Sequence, residues 1–197
     1  LLLKRPLREA DIALGREGTA ALAYRGPDGD GEWFDREAGV YFGHRRLSII
    51  DLSPGGKQPM IRGDHVLSYN GEIYNYRSVG DALRQTGVEL STRSDSEVLL
   101  QAMRKWGDGA LDRLDGMFAF ALWDKANRTL TLARDRLGEK PLYYGWAGEG
   151  QNRAFLFGSE LKALSAYPGF DAPVCRQALA QYLRFMYVPA PRSIYQG

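Results

Sequence analysis

Three places in this sequence carry side chains whose chemistry fits together: Arg46, the run Asn70-Gly71-Glu72, and Asp95. A guanidinium grips a carboxylate through two parallel hydrogen bonds. Carboxylates accept from an ammonium group. A side-chain amide beside a glycine N–H makes a pair of donors for an oxyanion. A free α-amino acid whose side-chain amide is under nucleophilic attack would need all three. Each place also has a plainer reading. Arg46 can serve an ordinary surface ion pair. Asp95 in a first helical turn gains roughly 0.3–1 kcal/mol from the helix dipole alone. Asn-Gly is a turn signal, because both residues tolerate positive φ. Spacing alone does not bring the three together.

Other chemistries find little support. His44 and His65 sit in or beside strand-like runs with no Ser or Cys nucleophile motif near them, which suits core or surface roles. No CxxC, HExxH or EF-hand spacing occurs, and no G-x-x-x-x-G-K-[ST] phosphate loop. Cys175, the single thiol, precedes a helical run but has no base beside it, and reads as inert. One cysteine forms no internal disulfide, which fits a reducing, cytoplasmic compartment. The 26 Lys and Arg against 24 Asp and Glu give a formal charge of +2, with the signs interspersed. That argues against a nucleic-acid stripe or a basic membrane patch. No apolar run approaches the ~20 residues that span a bilayer.

The elements that must position these residues follow from pattern. Residues 1–3 suit the tail of an edge strand, and residues 8–24 a loose helix. Residues 25–31 form a loop rich in Gly and Pro. Residues 40–43 and 47–50 read as strands, so that Arg46 opens the second, and residues 65–68 as a strand closed by Asn70-Gly71-Glu72. Residues 76–85 form an amphipathic helix stopped by Gly87. Ser94 with Glu97 three residues on reads as a capping box, starting a helix that ends at Gly107. Residues 117–123 are continuously apolar, as in a strand covered on both faces, and 129–133 complete a hairpin. Residues 142–146 and 154–157 suggest two more strands, and 159–166 and 176–185 two helices. Antiparallel hairpins around a doubly buried strand imply an α+β architecture, sheets stacked between helical layers.

Several blocks occur together and in order: Arg25-Gly26-Pro27-Asp28-Gly29, residues 43–51, 69–75, Ser94-Asp95, 116–121, 134–143, 159–164 and 188–195. In this order the chain resembles the N-terminal glutaminase domain, a class II glutamine amidotransferase, of glutamine-hydrolysing asparagine synthetases. The resemblance runs from about Arg25 to the last residue. It implies an N-terminal-nucleophile (Ntn) hydrolase fold, a four-layer αββα sandwich of two antiparallel sheets. It implies that Arg46 holds the α-carboxylate of L-glutamine, that Leu47, Ser48, Ile49 and Ile50 line the pocket, that Asn70 and Gly71 form the oxyanion hole, and that Glu72 and Asp95 hold the amine. No cofactor belongs to this domain; ATP and magnesium would belong to a C-terminal synthetase domain of the same polypeptide, which makes asparagine from aspartate through an aspartyl-adenylate. By the same resemblance, residues 1–172 are the glutaminase unit and 173–197 the connector to that domain, in a cytoplasmic enzyme; a homodimer is left open.

The sequence departs from the pattern in one respect. The family's nucleophile is a cysteine at the mature N-terminus whose own α-amine, of pKa about 8, serves as base. No residue here fills that role, and Cys175 does not match it. Leu1 to Leu3 resemble the strand that follows the nucleophile within a few residues, so a short preceding segment is expected. Two alternatives stand beside this reading: a nucleophile-less binding or structural module, as in β-lactam synthetase-like proteins, and an amidotransferase that passes ammonia to a different carboxylate acceptor.

Overall fold

Alternating apolar and polar residues place one face of each strand on a neighbouring layer, and the chain solves this burial with two stacked sheets. The computed structural model describes residues 1–48 and 54–196. The first sheet contains β1 (Leu2–Leu3), β2 (Gly29–Asp35), β3 (Val40–Arg46), β8 (Tyr143–Ala147) and β9 (Ala154–Gly158), in the order β2-β3-β1-β9-β8. The second contains β4 (Met60–Arg62), β5 (His65–Ile73), β6 (Gly116–Asp124) and β7 (Thr129–Arg134), in the order β4-β5-β6-β7. Neighbouring strands in both sheets run antiparallel. Helix α1 (Glu9–Ala20) and the short α4 (Leu161–Leu164) cover the outer face of the first sheet. Helices α2 (Tyr76–Gln85) and α3 (Asp95–Trp106) cover the second. A last helix, α5 (Arg176–Phe185), follows.

Strand β6 shows how one sequence serves two layers. Phe118, Phe120 and Leu122 pack towards α3, while Ala121 and Trp123 fill the space between the sheets with Val40, Phe42 and Val66. Each large side chain so buried contributes about 1.5–3 kcal/mol.

Several expectations need correction. Leu2 and Leu3 form no edge strand: β1 lies in mid-sheet, with Leu2 opposite both Val40 and Phe155. Arg46 ends β3 rather than opening a strand, because His44, Arg45 and Arg46 continue the ladder against Gly31, Asp30 and Gly29. The loop expected from 25 to 31 therefore turns into β2 at Gly29, and β4 was absent from the sequence pattern. Asn70-Gly71-Glu72 does not close a strand; β5 runs through it to Ile73. At α3, Ser94 caps as expected through Ser96 N–H at 3.1 Å, but Glu97 does not complete a box. Its carboxylate accepts instead from Ser91, Thr92 and Arg62.

Candidate active site

Between the sheets the apolar core gives way, towards one end of β3 and β5, to polar residues. On β3, Val40 and Phe42 face the second sheet, so alternation turns His44 and Arg46 the same way. On β5, Val66 faces the first sheet, whereas Leu67, Tyr69 and Ile73 face the helices. Ser68, Asn70 and Glu72 therefore look back at His44 and Arg46. A cavity of about 470 Å³ opens there. It is lined by Arg46, Leu47, Ser48, Asn70, Gly71, Glu72 and Asp95 together. Ile49 and Ile50, also expected in this pocket, lie outside the described residues.

Arg46 is set by the preceding loop. Asp28 N–H donates to Arg46 O at 3.0 Å, Arg45 Nε donates to Gly26 O at 3.2 Å, and the Asp28 carboxylate accepts from Ser48 N–H at 2.8 Å. The Arg-Gly-Pro-Asp loop thus fixes the strand end that carries the guanidinium and Ser48 just beyond it.

The edge of β5 is finished by side chains. Tyr74 N–H bonds Asp115 O at 2.7 Å, in phase with β6, so Tyr69, Gly71 and Ile73 turn their backbone groups to the opposite edge. Strand β4 covers that edge only as far as Leu67, opposite Met60. In the continued register Gln58 stands opposite Tyr69, and its buried amide replaces a strand: Tyr69 N–H donates to Oε1 at 2.6 Å and Nε2 donates to Tyr69 O at 3.0 Å. Ile73 N–H is taken by Asp95 Oδ2 at 3.1 Å. Gly71 N–H lies between these two clamps and faces the cavity, with no acceptor among the described residues. Gly71 has no positive φ. Glycine is required because a Cβ would stand 2.3 Å from Met117 O and 2.7 Å from Phe118 Cα.

Asp95 is buried, 5% exposed, at the start of α3. Burial raises its pKa above the ordinary aspartate value, against the bonds from Tyr69 OH at 2.7 Å and Ile73 N–H. Burial and the adjacent Asp95 push the Tyr69 phenol far up, so it stays a donor. His44, expected in a core or surface role, lines the cavity. Burial and then the Arg46 cation lower it to about 4, which keeps the ring neutral. Sequence reasoning missed His44 as a site residue, together with Asp28, Gln58, Ser68 and Tyr69. Their signal is contact made by the fold rather than spacing. Cys175 precedes α5 and is not among the residues lining the cavity. Among the described residues no group of three or more His, Cys, Asp or Glu could hold a metal ion, and no helix is long and apolar enough to cross a membrane.

One guanidinium, two carboxylates, a side-chain amide and an open glycine N–H surround a cavity between two antiparallel sheets, on an Ntn-hydrolase-like scaffold. The scaffold is shared with the glutamine phosphoribosylpyrophosphate amidotransferase of B. subtilis, at TM-score 0.65 and 21% identity over 79% of this chain and 40% of that one. The family model for glutamine amidotransferase domains matches residues 7–197, and the chain belongs to that family. It is 42% identical over 167 residues to asparagine synthetase [glutamine-hydrolyzing] 3 of Bacillus subtilis (strain 168), covering 83% of this chain and 26% of that protein. It is 41% identical over 189 residues to a putative asparagine synthetase [glutamine-hydrolyzing] of Mycobacterium tuberculosis (strain ATCC 25618 / H37Rv), covering 89% and 28%. The chain thus spans only about a quarter of the length of such curated relatives.

Proposed function

We propose that this chain is the glutamine-hydrolysing unit of an asparagine synthetase. The observation that carries the reading is the convergence of Arg46, Asn70, Gly71, Glu72 and Asp95 on one cavity. In this reading Arg46 binds the α-carboxylate of L-glutamine, Glu72 and Asp95 receive its ammonium group, and the carboxamide lies against Asn70 and the Gly71 N–H.

A cysteine a few residues before Leu1 supplies the nucleophile. Leu2 pairs with Val40 and with Phe155. Carried backwards in that register, the strand passes Phe42 to Arg46 on one side and Phe157 and Gly158 on the other, along the cavity wall that Leu1 already lines. The thiol gives its proton to the α-amine and attacks the carboxamide carbon. Negative charge moves to the oxygen, where Asn70 and Gly71 donate; one such donor contributes about 10²–10³ in rate. The C–N bond then breaks with proton return, ammonia leaves, and water hydrolyses the thioester to glutamate and free thiol. Residues 173–197 lead into an ATP-dependent portion that spends the ammonia on aspartate in the cytoplasm. The family names of the relatives and their greater length support this reading.

The test uses the full-length polypeptide with its native start. Glutamate release from L-glutamine, with asparagine formed when ATP, magnesium and aspartate are added, is the expected result. Saturable glutamine binding without glutamate release would replace the enzyme with a binding module. Glutamate release without asparagine, but with amidation of another carboxylate, would change the acceptor.

A further inference from the structure

Between the strands that carry Arg46 and Asn70 lies a pair of side chains with no part in holding either end of glutamine. His44 Nδ1 and Ser68 Oγ share a hydrogen bond of 3.2 Å, and both residues line the cavity. His44 is two residues before Arg46 on β3, and Ser68 two residues before Asn70 on β5. In a strand two residues advance about 6.6 Å and return to the same face. The pair is therefore a rung from sheet to sheet, one step below the rung that a bound glutamine would form between Arg46 and Asn70. Below it, Phe42 and Val66 belong to one apolar core cluster; above it the cavity opens. The sheets are thus tied at the last position before the ligand.

We propose that the His44–Ser68 bond is a spacer that fixes the separation of Arg46 from Asn70 and so holds the carboxamide carbon at the oxyanion donors. His44 and Ser68 are then positioning residues for glutamine hydrolysis. The inference rests on the assignment of Arg46 and Asn70 to the two ends of the substrate. A neutral imidazole suits the role, since it supplies one donor and one acceptor and adds no second cation beside Arg46. Arg46 and Glu72 reach the charged end of glutamine through long, flexible side chains that follow a small shift of β3 against β5, whereas reaction tolerates less: displacement of the reacting group by about 1 Å reduces rate about 100-fold.

The experiment compares wild type, Ser68→Ala, Ser68→Thr and His44→Asn in the full-length enzyme, with glutaminase kinetics and thermal melts. Ser68→Ala should lower kcat about 10- to 100-fold while KM for glutamine changes less than about threefold. Ser68→Thr keeps the hydroxyl, and His44→Asn places an amide nitrogen near the position of Nδ1; both should restore most of kcat. Wild-type kcat in Ser68→Ala, or a loss that follows the unfolded fraction and that Ser68→Thr does not restore, overturns the spacer. Arg46→Ala separates the two readings. If it raises KM while Ser68→Ala behaves as wild type, the spacer alone fails. If wild type releases no glutamate, both fail.

Discussion

In the proposed function Asp95 has two roles that conflict. Its carboxylate is buried at the start of α3, where burial raises its pKa. A folded pKa above the unfolded value means that the charged form opposes folding at neutral pH, and that stability is gained as pH falls and the proton binds. The bonds from Tyr69 and Ile73 offset part of that penalty. An amide in the same place would accept the same two bonds through its oxygen without the charge. Asp95→Asn should therefore melt at the wild-type temperature or above it, while KM for glutamine rises at least about 10-fold through loss of a charged partner for the substrate ammonium, worth about 1.5–3 kcal/mol. Melting and KM that both worsen would make Asp95 a structural residue and leave the amine to Glu72.

Strand β5 shows what the sequence could and could not disclose. The helices α2, α3 and α5 were legible because periodic apolar faces and glycine stops report helices locally; Gly87 and Gly107, at φ +82° and +56°, end two of them. The β6–β7 hairpin was legible from its apolar run and alternation. Asn70-Gly71 misled, because two uses of glycine look alike in one dimension. The pair suggested a turn through positive φ, whereas the fold needs Gly71 so that β6 can come close. Strand β2 hid behind Gly29 and Gly31, and β4 was too short to show. Residues that the fold gathers on one cavity were therefore readable by type, but the frame around them was not: Asp28, Gln58 and Ser68 act through contacts between elements far apart in sequence. Gln58 carries the clearest consequence. Its amide stands in for a strand at Tyr69, and the exposed edge it completes is what leaves Gly71 N–H alone to face the cavity. Gln58→Leu leaves a buried N–H and C=O unmet, at about 1–3 kcal/mol each. The variant should melt lower and lose kcat well beyond its loss of folded protein, because the Gly71 N–H is no longer held in line. Calorimetry with single-turnover glutaminase measurements separates the two effects, and a kcat that tracks folded fraction would confine Gln58 to stability.

At the scale of the molecule, the cavity exists because two sheets are held apart by their own cores, and the helix layer over the second sheet is locked by a buried carboxylate. Glu97, 1% exposed on α3, accepts from Ser91 Oγ at 2.7 Å, Thr92 N–H at 2.6 Å and Arg62 Nε at 2.9 Å, joining the helix to β4 and to the segment before it. Burial alone would raise its pKa, but these donors prevail and hold it at about 2, below the ordinary 4.5. Asp135 is held low in the same way, its burial outweighed by the N–H groups of Glu139, Lys140 and Phe118, and Asp11 is lowered chiefly by its bond from Arg5. In each case the unfolded chain binds a proton more readily than the folded one. The stability they contribute is complete above the unfolded pKa and drains away as pH falls through the folded one; for Glu97 that window runs from about 4.5 to about 2. Asp95 acts in the opposite sense, against Asp11, Glu32, Glu97, Asp124, Asp135 and Glu160, which are all held low. The fold should therefore be acid-labile, and Glu97 should dominate the slope. Glu97→Gln cannot accept with both arms and leaves Arg62 without its charged partner, which removes about 3 kcal/mol. For a chain of this size that lowers the melting temperature by about 6–12 °C at pH 7. The variant should also lose less further stability than wild type between about pH 4.5 and pH 2, since the group that titrates there is gone. Melting curves across that range test both parts. Parallel pH profiles for the two proteins would show that Glu97 is not the acid lock, and that the helix carrying Asp95 is held over the sheet by its apolar face alone.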